Sequence, residues 1–212
     1  RWINESTQPY LSSAIVMSLY SDGDTLWAGT YDGGLNRIDL QTNETQTYRH
    51  SPIDGASIGA NGITSILRLS NGDLLVGTYG GGLSIYNDGS GTFDTLTHEI
   101  DDPSSISSNL VLAIFEDSAG DVWIGTENGL NKYHRESRSF ERFYTDSNNP
   151  KSISSNIVWS FHEDSKGNLW LGTLGGGLNQ WPAQDRAQSR ENFINYSEKV
   201  TLPSSNIYGI HG

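Results

Sequence analysis

The chain has 212 residues, a formal net charge of −12 and an isoelectric point near 4.6. This argues against binding of nucleic acids or anionic membranes, because neither polyanion attracts an acidic surface. The chain has no cysteine, which excludes disulfides and thiolate metal sites. No apolar run reaches the roughly 18 residues of a membrane helix, and the initial RWINESTQPY lacks the pattern of a signal peptide.

A repeat of 47 or 48 residues organises the sequence. Its clearest mark is a Gly-Thr pair, found at residues 29–30, 77–78, 125–126 and 172–173, in steps of 48, 48 and 47. A fixed period between about 20 and 50 residues is typical of a repeat architecture. The four copies read LWAGTYDGGLNRID from Leu26, LLVGTYGGGLSIYN from Leu74, VWIGTENGLNKYH from Val122 and LWLGTLGGGLNQWP from Leu169.

Each repeat predicts four short strands, here called a to d. In the last copy they are NIVWSFHED, LWLGT, GLNQW and NFINYS, and the turn DSKGN between a and b contains a glycine. No helical stretch of useful length is predicted. Four short antiparallel strands in each repeat indicate the blade of a propeller.

The predicted fold is therefore an all-β β-propeller of four-stranded antiparallel blades, with about four complete blades and terminal strands of neighbouring blades. Three arrangements are open: a slice of a propeller of about seven blades, a small ring of four or five blades, or a larger ring made by two chains. An open slice would expose strand edges and favour self-association.

The predicted parts are residues 1–11 (outer strand of a preceding blade), 12–58 (blade 1), 59–106 (blade 2), 107–153 (blade 3), 154–203 (blade 4) and 204–212 (inner strand of a further blade).

The repeated pattern SSN-I-x-x-I-x-E-D-S-x-G-x-LW-I-G-T-x-x-G-G-L-N resembles the two-component regulator propeller repeat. Residues 107–134, SSNLVLAIFEDSAGDVWIGTENGLNKYH, are close to a consensus copy. The resemblance covers nearly the whole chain in four tandem copies. It implies the periplasmic sensor region of a membrane-bound signalling protein, in which an immunoglobulin-like module, a transmembrane helix and a kinase or cyclase output follow the propeller.

The conspicuous residue types of the repeat predict structure rather than chemistry. GTLGGGLN lacks the lysine and the following helix of a phosphate-binding loop, and it recurs in every repeat. Trp27, Trp123 and Trp170 share one strand-b position, which predicts core between blades rather than sugar stacking. The five histidines and the acidic turns between strands a and b match no metal-site pattern, so neither a metal nor a cofactor is predicted.

Catalytic residues are not predicted either, and we do not expect the segment to be an enzyme. Glu116–Asp117 and Glu163–Asp164 recur at the end of strand a, as parts of the repeat rather than as a unique acid–base pair. A propeller glycoside hydrolase, which needs two acids facing each other across a cleft, stays open as an alternative.

Loop residues that differ between repeats are the candidates for ligand binding. In a propeller the b–c loops and the loops from d to the next a emerge on one face, and binding residues usually lie on such loops. Tyrosine rings together with carboxylate and amide groups suit a sugar, whose C–H face is apolar and whose edge carries hydroxyls. The candidates are Tyr31, Asp32, Tyr79, Glu127, Asn128, Asn149 and Lys151.

The predicted function is a ligand-sensing propeller domain of a bacterial two-component-type sensor, on the periplasmic or extracellular side of the inner membrane. The residues alone support a polar ligand, and the resemblance implies a carbohydrate. Expected partners are a glycan or small polar ligand, the transmembrane signalling modules of the same full-length protein, and other copies through open edges, but not nucleic acid. A protein–protein interaction scaffold is the alternative.

Overall fold

The structure is a computed structural model that describes residues 11–197 and 202–211. In this part of the chain, sixteen strands form four separate four-stranded sheets, and within each sheet neighbouring strands follow one another along the chain. All the pairings are antiparallel. The prediction of four-stranded antiparallel blades is confirmed. The outer strand predicted within residues 1–11 falls on residues 1–10, outside the described residues.

The strand bounds follow the period of the repeat. The first two sheets contain β1 (Val16–Asp22), β2 (Thr25–Thr30), β3 (Leu35–Asp39), β4 (Thr45–Tyr48), β5 (Ile63–Arg68), β6 (Leu74–Thr78), β7 (Leu83–Asn87) and β8 (Thr92–Leu96). The last two contain β9 (Val111–Glu116), β10 (Val122–Thr126), β11 (Gly129–His134), β12 (Ser139–Phe143), β13 (Val158–Glu163), β14 (Leu169–Thr173), β15 (Gly177–Trp181) and β16 (Ile194–Asn195).

A short helix, α1 (Ala183–Arg186), lies between β15 and β16 and has four residues. Among the described residues, no helix is long and apolar enough to cross a membrane. Residues 202–211 form no regular strand, but Ser205 accepts a backbone hydrogen bond from Gly177, and Ile207 donates one to Thr173. The inner strand expected over 204–212 stays a prediction, as do the blade boundaries.

Residues up to Thr97 hold the first two sheets and form one compact unit. Trp27 of β2 is 1% exposed and packs edge-on against Tyr86 of the second sheet, with 5.0 Å between ring centroids. The glycine of the Gly-Thr pair permits this close packing, because a Cβ on Gly29 would lie 2.8 Å from the Cβ of Ile63. Sheet-on-sheet contact therefore explains this glycine without any ligand.

Residues from His98 onward hold the other two sheets and form the second compact unit. Trp123 of β10 is buried and packs against Trp181 of the fourth sheet, with 5.3 Å between centroids. The predicted core position between blades is thus confirmed for Trp27 and Trp123. It is wrong for Trp170, which is only half-buried and packs against Tyr196 of its own repeat, with 4.8 Å between centroids.

An aspartate at the end of strand a accepts a hydrogen bond from the indole nitrogen of the strand-b tryptophan in two repeats. Trp123 Nε1 donates to Asp117 Oδ2 at 2.9 Å, and Trp170 Nε1 donates to Asp164 Oδ2 at 3.0 Å. In the second repeat, leucines occupy both positions, as Leu69 and Leu75. The aspartate and the tryptophan are therefore present together or replaced together in these three repeats.

Helix α1 supplies a cation that links two repeats within the second unit. Arg186 Nη2 lies 2.8 Å from Glu163 Oε1 and 3.4 Å from Asp117 Oδ2. Glu163 Oε2 in turn accepts the backbone N–H of Ser118 at 2.7 Å. Because these side chains are largely buried, the acids that end strand a are engaged in holding the repeats together.

The repeat makes the second unit sensitive to acid through Asp164. Burial opposes ionisation of this carboxyl, but hydrogen bonds from Asn168, Trp170 and the backbone N–H of Lys166 outweigh it and hold the pKa well below the usual 3.8. A depressed folded-state pKa contributes stability that is present above the unfolded-state pKa and is lost as the pH falls through the folded-state pKa.

We therefore expect the free energy of unfolding to fall with pH below 3.8 and to fall less steeply in Asp164→Asn, which has no carboxyl to protonate. Urea unfolding at a series of acidic pH values measures this slope. Identical slopes for the two proteins would show that Asp164 does not contribute.

Candidate ligand-binding loops

The loop between strands b and c is closed by the threonine of the Gly-Thr pair. Thr78 Oγ1 donates to the carbonyl oxygen of Gly82 at 2.8 Å and accepts the N–H of Gly81 at 3.1 Å. A hydroxyl that makes both bonds fixes the loop from inside. The same donor bond is made by Thr30 to Gly34, Thr126 to Gly129 and Thr173 to Gly177.

Positive backbone angles account for the glycines that end these loops. Gly82 has φ +82°, a conformation that costs L-residues energy, and a Cβ there would overlap the carbonyl oxygen of Leu96. Gly34 has φ +89°, and its Cβ would overlap the carbonyl oxygen of Tyr48. The glycines therefore shape the loop and bring it close to the outer strand.

A buried polar cluster lies beneath the loop and explains the recurring serine. Ser107 Oγ lies 2.9 Å from Thr126 Oγ1 and accepts Asn131 Nδ2 at 2.8 Å. Ser154 makes the equivalent bond with Asn179 in the fourth repeat, at 2.7 Å. These groups satisfy one another, so this serine, threonine and asparagine belong to the scaffold.

The residue that follows the Gly-Thr pair in each loop takes no part in these hydrogen bonds and close glycine contacts. This position is occupied by Tyr31, Tyr79, Glu127 and Leu174. Each residue donates its backbone N–H to a carbonyl just before or at the start of strand a, at 2.8–3.1 Å, so all four backbones are fixed in the same way. The side chains of Tyr31 and Tyr79 are 55% and 59% exposed, and that of Glu127 is also exposed. The identity of this side chain is therefore not dictated by the fold.

Two of the candidate tyrosines lie close together in the first unit. Gly62 stands between them, because a Cβ on Gly62 would be 2.9 Å from both the Tyr31 carbonyl oxygen and the Tyr79 Cβ. Asp32 follows Tyr31 and is exposed. The structure thus brings the backbone of Tyr31 and the side chain of Tyr79 to the same glycine on neighbouring loops of the first unit.

The other candidates lie in the second unit. Glu127 Oε1 accepts a hydrogen bond from Ser108 Oγ at 3.2 Å, and the exposed Asn128 follows it in the same loop. Asn149 and Lys151 lie in the loop between the third and fourth sheets, where Asn149 Oδ1 accepts the N–H of Lys151 at 3.0 Å. That loop and β16 line a cavity of about 670 Å³, whose wall includes Asn149.

Sequence reasoning missed two aromatic residues near the loops of the second unit. Trp159 belongs to the apolar run of the predicted strand a in the fourth repeat, but it is a bulge residue and is only partly buried. Tyr208 is 60% exposed and meets Trp159 edge-on, with 5.4 Å between ring centroids. A bulge has no signature in a continuous apolar run, so the pattern could not have revealed this pair.

The described residues offer no grouping of three or more histidine and acidic side chains that could hold a metal ion. The recurring acids have structural partners: Asp117 and Asp164 hold tryptophans, and Glu163 pairs with Arg186.

Comparison with known proteins matches two segments of the chain to a family model. A family model described as "Two component regulator propeller" matches residues 105–128 and 152–175. These two segments are therefore similar to two-component regulator propeller repeats. A search of curated proteins found no match.

Solved structures share the fold of these propeller repeats. The extracellular domain of a protein assigned as a one component system of B. thetaiotaomicron is 26% identical with a TM-score of 0.72, over 97% of this chain and 26% of that chain. The extracellular domain of a protein assigned as a hybrid two component system of the same organism is 20% identical with a TM-score of 0.54, over 98% of this chain and 32% of that chain. Virginiamycin B lyase from Staphylococcus aureus is 16% identical with a TM-score of 0.63, over 92% of this chain and 58% of that chain.

The fold class is that of a β-propeller, as predicted. The chain spans about a quarter of the length of the first of these structures and about a third of the second. Likeness to the lyase, at 16% identity, concerns the fold alone.

Proposed function

We propose that the chain is a ligand-binding propeller domain of a bacterial sensor protein and that its ligand is a carbohydrate. The main support for this proposal is that the b–c loops contain two kinds of residue, structural ones and one that is variable and exposed. Their threonine and glycines make structural contacts, whereas one neighbouring position varies between repeats and projects tyrosines that are more than half exposed. Exposed variable loop residues on a rigid scaffold are where binding residues usually lie.

The side-chain chemistry supports a sugar. Tyr31 and Tyr79 offer flat apolar rings that are more than half exposed, and the exposed Asp32 offers acceptors for hydroxyls. Asn128 and Glu127 offer similar polar groups in the second unit. A pyranose presents one apolar C–H face and an edge of hydroxyls, which this combination of groups matches.

A location outside the cytoplasm fits the same proposal. The structure with 26% identity is described as an extracellular domain, and the matching family model is named for two component regulators. We therefore place the domain on the periplasmic or extracellular side of the membrane, where it would meet glycans from the surroundings. Signalling modules of the full-length protein would receive the signal.

A binding role without catalysis is also part of the proposal. The two acid pairs that recur at the end of strand a include Asp117, Glu163 and Asp164, whose carboxylates accept bonds from Trp123, Ser118 and Trp170. A hydrolytic pair has to face substrate across a cleft instead. Shortening of an oligosaccharide during incubation with the chain would favour the glycoside hydrolase alternative.

The test is binding of oligosaccharides to variants of the two tyrosines. Tyr31→Ala and Tyr79→Ala are each expected to weaken the affinity about tenfold, because each removes a ring that stacks on the sugar. The matched control is Leu40→Ala, since Leu40 is 48% exposed and follows β3 at the opposite end of the sheet. Calorimetric titration with neutral and acidic oligosaccharides gives the affinities, and thermal unfolding checks that the variants fold.

Two results would contradict the proposal. One is a chain that binds none of the oligosaccharides, and the other is binding that neither tyrosine variant weakens. Capture of a protein partner that the tyrosine variants release would instead favour the interaction scaffold.

A further inference from the structure

The first strand of every sheet contains a β-bulge close to the loop face. In β13, Val158 is opposite Thr173 and Ser160 is opposite Gly172, so Trp159 between them has no partner on the neighbouring strand. The extra residue of a bulge leaves the regular alternation of the strand. Met17, Thr64 and Leu112 hold the same bulge position in the other sheets.

Residues 202–211 place a second aromatic side chain in the matching position. The Gly129 N–H donates to the carbonyl of Asn156, three residues before Trp159. The equivalent Gly177 N–H donates to the carbonyl of Ser205, three residues before Tyr208. In this hydrogen-bond register Tyr208 takes the place of Trp159, although the SSN motifs at 154–156 and 204–206 align it with Val158 in sequence. The bulge position itself carries methionine, threonine or leucine in the other repeats.

The two rings form a pair that remains open to solvent. Their centroids are 5.4 Å apart at an interplanar angle of 83°, Trp159 is partly buried, and Tyr208 is 60% exposed. A T-shaped pair leaves the face of one ring available. Trp123 and Trp181 of the core, by contrast, are only 1% and 2% exposed.

The two segments that carry this pair offer hydroxyl and amide groups and contain no charged side chain. Residues 152–161 (SISSNIVWSF) and 202–210 (LPSSNIYGI) contain no aspartate, glutamate, lysine, arginine or histidine, although the chain has a net charge of −12. Asn206 is fixed beside the b–c loop of β14, because its Oδ1 accepts the N–H of Gly175 at 2.9 Å. Its amide NH2 is a donor that suits a sugar hydroxyl.

The geometry points to Trp159 and Tyr208 as a stacking subsite for a neutral pyranose ring, with Asn206 contacting its hydroxyls. This inference rests on the proposed function, because it takes the ligand to be a carbohydrate and adds that the sugar ring bound at Trp159 and Tyr208 is uncharged. An uronate or a sulfated sugar would find no cation in these two segments. The subsite therefore selects a neutral saccharide.

To test the subsite, each of the two aromatic residues is replaced by a residue that occupies the bulge position in another repeat. Trp159→Leu takes the residue of Leu112, and Tyr208→Thr takes the residue of Thr64. Each is expected to weaken binding of neutral hexasaccharides (maltohexaose, cellohexaose and xylohexaose) about fivefold to tenfold. Tyr208→Phe keeps the ring and should retain most of the affinity. Ile100→Ala, at a position 90% exposed in the same unit, is the matched control and should change nothing.

A second readout reports on the site directly. Because Trp159 is partly exposed, a sugar stacked on it should shift the tryptophan emission to shorter wavelength, and Trp159→Leu should lose that shift. Tyr208 lies outside the regular strands, so Tyr208→Thr tests the subsite even if Trp159→Leu folds poorly.

The outcomes separate this subsite from the proposed function. If neutral hexasaccharides bind and the two variants bind them as well as the unaltered chain does, the subsite is overturned while the loop-face proposal stands. If only polygalacturonate or heparin fragments bind, the choice of a neutral sugar is overturned. If no saccharide binds at all, the proposed function fails and the subsite fails with it.

Discussion

Gly82→Ala is expected to lower the free energy of unfolding by about 3 kcal/mol or more. Gly82 has φ +82°, which costs an alanine about 1–2 kcal/mol. Its new Cβ would also overlap the Leu96 carbonyl oxygen, so the loop and the outer strand would have to move apart. Urea unfolding, followed by circular dichroism, measures the difference.

Gly80 provides a matched control in the same loop. It has φ +94°, but a Cβ there would meet nothing within 4 Å. Gly80→Ala should therefore show only the conformational cost, about 1–2 kcal/mol. Equal losses for the two variants would mean that the approach of Gly82 to Leu96 does not constrain the loop.

Asp117→Ala is expected to destabilise the second unit by about 3–4 kcal/mol. The Asp117 side chain is fully buried and accepts hydrogen bonds from Trp123 Nε1 and the backbone N–H groups of Ala119 and Asp121. Its removal would leave the buried Trp123 Nε1 without its acceptor and would take away the acceptor of two partly buried N–H groups. It would also deprive Arg186 of one of its two acids.

The measurement is equilibrium unfolding, with Asp101→Ala as the control, because Asp101 is an exposed aspartate of the same unit. The loss caused by Asp117→Ala should be smaller in a Trp123→Phe background than in the unaltered chain, since one of the stranded donors is already absent there. A loss no greater than that of Asp101→Ala would contradict the role assigned to Asp117.

The strands could be predicted from the sequence because the same pattern recurs four times. Each copy of the Gly-Thr pair marks the end of a buried strand and the start of a glycine loop, so one repeat corroborates another. Residues around Leu74 and Val122 fall in strands whose five positions are all buried, as their apolar runs indicate. The glycines could likewise be assigned to turns before the structure was known.

Three features could not be predicted from the sequence, because they depend on a backbone irregularity or on contacts between segments that are distant in the chain. The bulge at Trp159 turns an apolar run into a partly exposed side chain, and no residue type marks it. Trp170 matches Trp123 in sequence, yet it packs within its own repeat. The position of Gly62 between Tyr31 and Tyr79 arises only when three segments far apart in the chain meet.

The candidate residues were predicted from variation between repeats, and the structure shows that this variation has a physical basis. Tyr31 and Tyr79 vary freely because their backbones, rather than their side chains, make the scaffold bonds. Asn149 and Lys151 differ from them, because Asn149 Oδ1 also shapes its own loop through a bond to the Lys151 N–H. Substitution of Asn149 would therefore alter the loop as well as any contact with ligand.

The threonine hydroxyl that closes each b–c loop has a consequence for how such chains diversify. Since Thr30, Thr78, Thr126 and Thr173 hold their loops from inside, the neighbouring residue can be exchanged with little cost in folding. Selection can then act on residues 31, 79, 127 and 174 independently of the framework that presents them. A library randomised at these four codons would sample new recognition surfaces while the sheets beneath stay the same.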